Sequence, residues 1–374
     1  MEFHSTKSDL LKSLSWTQTV VDRKATMPIL ANCCLAAEGK LLTLTATDLE
    51  VGVTVAQPVE TKVAGKVTVG ARALYDIVKS LPDDRVHLKV GENHRVEVKA
   101  GKSQFKIVGL AADEYPALPQ TPSAEKVSMA ASAMLEMIEK TVYAMSTDET
   151  RYNLNGLFME QVADAGAKGA ARLRVAATDG HRLSYADRLV AGKWKLPAGV
   201  IVPRKGILEW RRLLEGASGD FILRLDEKYI AVERDNVSLL IRLIDGQFPP
   251  YSQVIPKDHK WLVTVPRDEF GAALRRVQLV TSERIRGVKF RFSPGHLDIS
   301  AQNPDLGEAY EELQVGYKGE TFEVGFNARY FQDVLNVVTD EQLVLELKGE
   351  LAPCVIRSEF DRDFLSVIMP MRLS

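Results

Sequence analysis

Three short stretches hold side chains that could do chemistry. In ATDGHRL (Ala177–Leu183), Asp179 and His181 stand close enough in sequence to share a proton between a carboxylate and an imidazole. Acyl transfer would need a nucleophile beside them, and no serine or cysteine motif of that kind accompanies the pair. The histidines (4, 87, 94, 181, 259 and 296) are scattered, so a turn or a binding surface is the expected role of His181. Gly101-Lys102-Ser103 looks like the end of a phosphate-binding loop. That motif requires a glycine upstream, where Val96 stands, and a helix downstream, where QFKIV reads as strand. Glu308, Glu311 and Glu312 could ligate a cation, but such a run is usually a solvated or partner-facing surface.

Other signatures are missing as well. Cys33, Cys34 and Cys354 have no metal-ligand spacing and an odd count, which points to reduced structural thiols in a cytoplasmic protein. No glycine-rich dinucleotide turn follows a strand. The expectation is a protein that is not an enzyme, with no cofactor and no metal.

The elements around these residues repeat. GKVTVGARALYDIVKSLPDDRVHLKV begins at Gly65, AGVIVPRKGILEWRRLLEGASGDFILRL at Ala198 and TFEVGFNARYFQDVLNVVTDEQLVLEL at Thr321. Each reads strand, turn, amphipathic helix, polar loop, strand. The period is roughly 130 residues, the size of a domain rather than of a solenoid unit. Each third also opens with a helix, whose apolar stripe is Leu10, Leu11, Leu14 and Val21, then Met134, Leu135, Ile138, Val142 and Met145, then Phe270, Leu274 and Val277. The second helices carry Leu74, Ile77, Val78 and Leu81; Ile207, Trp210 and Leu214; and Phe331, Val334, Leu335 and Val338.

Period-2 stretches follow, as in Leu42 and Leu44 or Leu297 and Ile299. YPALPQTP from Tyr115 and FPPYSQVIP from Phe248 read as linkers, and ADAGAKGAA from Ala163 as a hairpin loop. The expected fold is α+β, three tandem domains of two helices packed on antiparallel sheets, with boundaries at 1–123, 124–255 and 256–374. Similar edges in tandem invite end-to-end continuation of the sheets.

A hydrophobic share of 45% and a charged share of 26% fit an ordinary globular chain. No apolar run approaches the roughly 18 residues that span a bilayer, and the N-terminus reads as lacking a secretory signal. The net charge of −2 excludes a protein that coats nucleic acid through overall basicity. Summed together, the six helix windows are net positive on this acidic chain, although those of 132–145 and 329–340 are net negative, and the sum suits weak, sequence-independent phosphate contact.

Longer motifs carry a family likeness. RYNLNG (Arg151–Gly156), ATDGHRL, VPRKG (Val202–Gly206) and the terminal VIMPMRL (Val367–Leu373) resemble the bacterial DNA sliding clamp, the β subunit of the replicative DNA polymerase III holoenzyme. TMPILAN (Thr26–Asn32), TDLE (Thr47–Glu50), DGQFPPY (Asp245–Tyr251), RGVKF (Arg286–Phe290) and GFNARY (Gly325–Tyr330) extend the likeness over the whole chain, in order.

The resemblance implies a processivity factor: half of a head-to-tail homodimeric ring that encircles double-stranded DNA without sequence preference. It tethers the replicative polymerase, the clamp loader and other partners by short peptides, and is cytoplasmic and nucleoid-associated. A paralogous peptide-binding hub in repair or stress response is the alternative.

The implied peptide pocket comprises Leu154, Thr178, Gly180, His181, Arg182, Leu183, Pro249, Gln253, Val254, Tyr330, Val367, Met369, Pro370, Met371 and Arg372. Gln253 stands where some relatives carry Arg, and Ser374 extends past the leucine at which many end. Without the resemblance, Met369–Leu373 would read as a strand end packed in a core. DNA-facing residues would be Arg23, Lys24, Arg72, Arg151, Tyr152, Arg204 and Lys205, each also readable as an ordinary surface residue. The ring joint would set Phe105 and Ile107 against Leu279 and Val280.

Overall fold

The computed structural model describes residues 1–21, 27–82, 85–123, 126–163, 171–190, 199–281 and 287–372. Its helices are α1 (Lys7–Val20), α2 (Ala71–Ser80), α3 (Ala131–Val142), α4 (Arg204–Leu214), α5 (Arg267–Val277) and α6 (Ala328–Leu335). They fall two to each third of the chain, as the repeat requires. The strand–helix–strand unit recurs as Gly65–Gly70, α2, Arg85–Val90; Val200–Pro203, α4, Asp220–Leu225; and Phe322–Asn327, α6, Gln342–Leu347. All strand pairings among the named elements are antiparallel, for example Leu183 against Val367 and Leu239 against Val53.

The helices form because their apolar residues recur on one face that a sheet can cover. In α6, Phe331 and Val334 are buried, and the Asn327 side chain caps the first turn by accepting from Arg329 N at 3.0 Å. In α1, Thr6 caps by accepting from Asp9 N at 3.1 Å. The buried face of α1 is Leu10, Ser13, Leu14, Thr17 and Val20; Val21, expected on that stripe, is instead the residue that ends the helix.

By its contacts the chain divides into two units that cut across the repeat: residues 1–132 with 205–243, and residues 133–204 with 244–374. The first unit contains one 13-stranded sheet. Its two parts, one from each of the first two thirds, join where Val51–Pro58 pairs with Val237–Arg242. The second unit contains an 8-stranded sheet, in which Arg182–Val190 pairs with Phe364–Ile368, and a 4-stranded sheet. The expected continuation of sheets from one repeat to the next is therefore present within each unit.

The core of the last third is rich in aromatic rings. Phe270, Phe290, Phe326 and Phe331 meet at centroid distances of 5.2–5.8 Å, mostly edge-on or tilted. Such pairs add about 1 kcal/mol each beyond the area they bury.

Both expected linkers are docked. The Tyr115 hydroxyl donates to Asn32 O and accepts from Thr47 N, each at 3.1 Å, and Tyr251 is buried. The strands around the expected hairpin loop, Gly156–Ala163 and Ala171–Thr178, pair antiparallel; 164–170 lie outside the described residues.

One turn is shared by the first two repeats. In both, the aspartate of Thr-Asp accepts two backbone N–H groups through Oδ1: Glu50 and Val51 for Asp48, His181 and Arg182 for Asp179. The preceding threonine hydroxyl accepts from Leu49 N or Gly180 N. The residue after the aspartate takes a positive φ, 79° at Leu49 and 89° at Gly180. Glycine adopts this without cost; leucine is held there by the side-chain bonds around it.

Candidate functional site

The ATDGHRL turn sits at the entrance to strand Arg182–Val190, in the second unit. Asp179 organises it: Oδ1 takes the backbone of His181 and Arg182, and Oδ2 takes Arg182 Nε at 3.1 Å. The Thr178 hydroxyl donates to Arg182 O at 2.6 Å. The carboxylate expected as a possible acid–base partner is thus committed to holding a turn, and His181 stands exposed beside it.

The C-terminal segment is laid against this turn. Register pairs Arg182 with Ile368 and Leu183 with Val367, and Met369 N donates to His181 O at 2.9 Å. Met371 N then donates to Gly325 O at 2.8 Å, on the strand leading into α6. Arg182 is 9% exposed and lies over the Tyr330 ring, 4.5 Å from guanidinium carbon to centroid. Its Nη1 donates to Asp333 Oδ2 at 2.5 Å and its Nη2 to Tyr143 O. Burial pushes the Tyr330 phenol up from its ordinary range, and the nearby Asp179 charge adds to this.

A small apolar cluster backs the turn. Leu183, Val367, Leu365, Val355, Ala176 and Tyr251 are buried together, with Phe248 and Ile255 packed against them. Phe248 stacks on Phe158 at 4.7 Å. Tyr251 is fixed by donating to Glu160 and lying 3.4 Å from Arg174 Nη1. The linker segment is therefore a wall of this cluster, which places Pro249, Gln253 and Val254 beside Tyr251 in the turn Tyr251–Val254 and its approach. Val254 is left 41% exposed.

Of the residues expected in the pocket, Thr178, Gly180, His181, Arg182, Leu183, Tyr330, Val367, Met369 and Met371 are linked by the bonds and pairings above. Met369, Pro370 and Met371 are half-buried and Arg372 is exposed. Leu154 closes the one-turn helix Tyr152–Leu154, whose neighbour Arg151 donates from Nη1 to Asp179 O at 3.0 Å. Asp179, Tyr143, Asp333, Tyr251 and Phe248 were not expected among the site residues. Asp179, Phe248 and Tyr251 stand within the motifs ATDGHRL and DGQFPPY, whereas Tyr143 and Asp333 reach the site from positions outside those motifs.

The residues expected to face DNA are less free than their types imply. Lys205 Nζ donates to Val20 O at 2.7 Å and pairs with Asp48, so its charge is largely neutralised. Arg151 is tied to Asp179 O and lies 3.6 Å from Asp148. Arg72 is exposed beside Asp76, Tyr152 is exposed, and Arg204 is half-buried. Arg23 and Lys24 lie outside the described residues.

At the expected joint, Phe105 is 37% exposed and Ile107 half-buried on strand Ser103–Leu110. That strand pairs with Arg95–Ala100 along its length but with Gly65–Gly70 only at Gly109 and Leu110, leaving one edge open among the described residues. Leu279 is 78% exposed, while Val280 packs on the core of the last third. The neighbouring strand Gly307–Gln314 ends the 4-stranded sheet. Among the described residues no group of three or more His, Cys, Asp or Glu could hold a metal, and no helix is long and apolar enough to cross a membrane.

Comparison with known proteins covers the entire site. Residues 1–119, 128–250 and 252–372 match the family models of the DNA polymerase III beta subunit N-terminal, central and C-terminal domains. The Beta sliding clamp of Caulobacter vibrioides (strain NA1000 / CB15N) is 37% identical over 370 residues, covering 98% of both chains. A crystal structure of the C. crescentus beta sliding clamp superposes with a TM-score of 0.95 at 36% identity, covering 100% of both chains. The DnaN sliding clamp of Bartonella birtlesii, solved bound to griselimycin, also gives a TM-score of 0.95 at 36% identity over 100% of both chains. All three thirds match in order over the full length, so the chain belongs to the DNA polymerase III beta subunit family, the bacterial beta sliding clamps.

Proposed function

We propose that this chain is the processivity clamp of a bacterial replicative polymerase. It closes with a second copy into a ring around duplex DNA and tethers partners through the pocket at the ATDGHRL turn. The observation that carries this reading is the ordered, full-length match of three clamp domains. We place the domain boundaries at 1–123, 124–255 and 256–374, within five residues of the matched regions 1–119, 128–250 and 252–372. The protein is not an enzyme in this reading: Asp179, the carboxylate of the one candidate acid–base pair, is committed to holding the turn. It takes no cofactor, and its place is the cytoplasm, at the nucleoid. No observation favours the alternative of a hub that does not encircle DNA.

Two open edges support a head-to-tail joint. The edge Ser103–Val108 carries Lys106 beside Lys102, with Arg95 and Glu97 on the strand paired to it, and the end strand Gly307–Gln314 carries Glu308 and Glu312 beside Glu311, which Arg276 already holds. Opposite charges on two unpaired edges favour pairing between copies over pairing of like edges. Phe105 and Ile107 would then cover Leu279 and Val280, removing exposed apolar surface from water. A contact between unlike surfaces closes into a ring when its rotation allows.

A ring holds DNA by topology, so its contacts need only be weak. Arg72 and Tyr152, with Arg23, Lys24, Arg151, Arg204 and the partly neutralised Lys205, would supply phosphate contacts loose enough for sliding. The pocket would take the clamp-binding segments of the polymerase, the clamp loader and other partners, with Met369 and Met371 adapting to different side chains. Griselimycin, bound by two relatives, would occupy the same pocket.

The test is primer extension on a long, singly primed circular template with the host polymerase and loader. Adding this chain should lengthen the product made per binding event many-fold. Unchanged product lengths would remove the reading.

A further inference from the structure

Arg182 is surrounded by more fixed acceptors than a pocket-lining residue needs. Its Nε, Nη1 and Nη2 donate to Asp179, Asp333 and the Tyr143 carbonyl, and its flat faces meet the rings of Tyr330 and Tyr143 at 4.5 and 5.3 Å. Asp333 and Tyr330 are one turn apart on α6, so both project on the same side of that helix. The guanidinium thus spans the two, bonded to one and stacked on the other.

We propose that Asp333 is a positioning residue for the peptide pocket: by pinning Arg182 it fixes the Tyr330 ring at the pocket wall. This rests on the pocket reading given above. Arg182 is anchored from the second third by Asp179, and Asp333 anchors it to the last third. With Asp333 neutral, the guanidinium keeps Asp179 and Tyr143 O but loses its hold on α6. The helix that carries Tyr330 is then no longer tied to the plane on which the ring stacks, and a bound ligand must pay the entropy of reordering that ring. Arg182, facing two carboxylates, also offers little net positive charge to an acidic ligand group. The pocket therefore selects by shape and apolar fit rather than by ion pairing at this position.

Calorimetric titration of the full-length protein with griselimycin tests this. Asp333→Asn should weaken binding about tenfold, the scale of one charge-assisted hydrogen bond. Asp333→Glu, which keeps a carboxylate within reach, should bind within about threefold of the parent. In a Tyr330→Ala background, Asp333→Asn should cost nothing further, because the loss acts through the ring. Should Asp333→Asn fail to fold, the Glu variant decides: a loss of tenfold or more there overturns the proposal. Parental binding by Asp333→Asn, or additive losses in the double variant, also overturns it. If the parent protein itself does not bind griselimycin, the pocket reading fails rather than the role of Asp333.

Discussion

Leu183 and Val367 face each other on neighbouring antiparallel strands, from the second and last thirds of the chain, and both are buried against Tyr251 of the linker between those thirds. Three separate stretches of sequence meet there, and each is among the motifs that resemble sliding clamps. The pairing seats the C-terminal segment against the ATDGHRL turn and leaves Met369 and Met371 half-buried beside it.

Deleting 371–374 removes the Met371 bond to Gly325 but keeps the Met369 bond to His181. Griselimycin affinity measured by calorimetry should fall at least about tenfold, from the lost apolar wall. The dimer should survive in sedimentation. Loss of the dimer would show that the tail is structural.

The joint between copies should depend on few residues. Phe105→Ala with Leu279→Ala should weaken dimerisation by about a hundredfold, since central apolar anchors dominate such contacts. Raising salt should weaken it further through the basic and acidic edges. A double variant that remains fully dimeric in sedimentation equilibrium at nanomolar concentration would contradict this joint.

An ion cluster ties α3 to the last third. Lys140, 7% exposed, pairs with Glu136 and Asp361, and Arg188 pairs with the same two carboxylates. Burial pushes the Asp361 and Glu136 carboxyls up, but the bonds from Lys140 and Arg188 outweigh it and hold both below the usual range. A carboxyl with a lowered folded pKa stabilises the fold above its unfolded value of about 4, and that contribution is lost as pH falls through the folded value. Lys140→Met should cost about 2 kcal/mol in urea unfolding at pH 7, discounted for partial exposure of the carboxylates. The gap between variant and parent should shrink below pH 4. A gap constant with pH would show that packing alone is lost.

The shared turn makes an asymmetric prediction. Leu49→Asn should raise stability by up to about 1 kcal/mol, because Asn tolerates positive φ better than Leu. Gly180→Ala should lower it by about 1 kcal/mol. Thermal unfolding measures both, and a stabilising Gly180→Ala would refute the strain argument.

The helices and their buried faces were legible because periodicity is local. Ile207, Trp210 and Leu214, or Phe331, Val334 and Val338, announce a face within a dozen residues, and all are buried. Long-range pairing leaves no such trace: Arg182 and Asp333 are 151 residues apart, Lys140 and Asp361 221. For the same reason Lys205 read as a free cation, although Asp48 lies against it in the fold. The positive φ of Leu49 was hidden too, since side-chain bonds rather than residue type impose it. The motifs of the proposed pocket are recognisable in the sequence, whereas the anchors behind them are brought there by the fold.

Topological retention on DNA separates a sliding ring from every other way of binding DNA. The labelled protein is loaded by the host clamp loader onto nicked circular DNA, the complex is isolated, and the circle is then cut once. The protein should stay with the circle through high salt and leave within minutes of linearisation. Retention on the linear product, or loss from the intact circle in salt, would contradict a sliding ring.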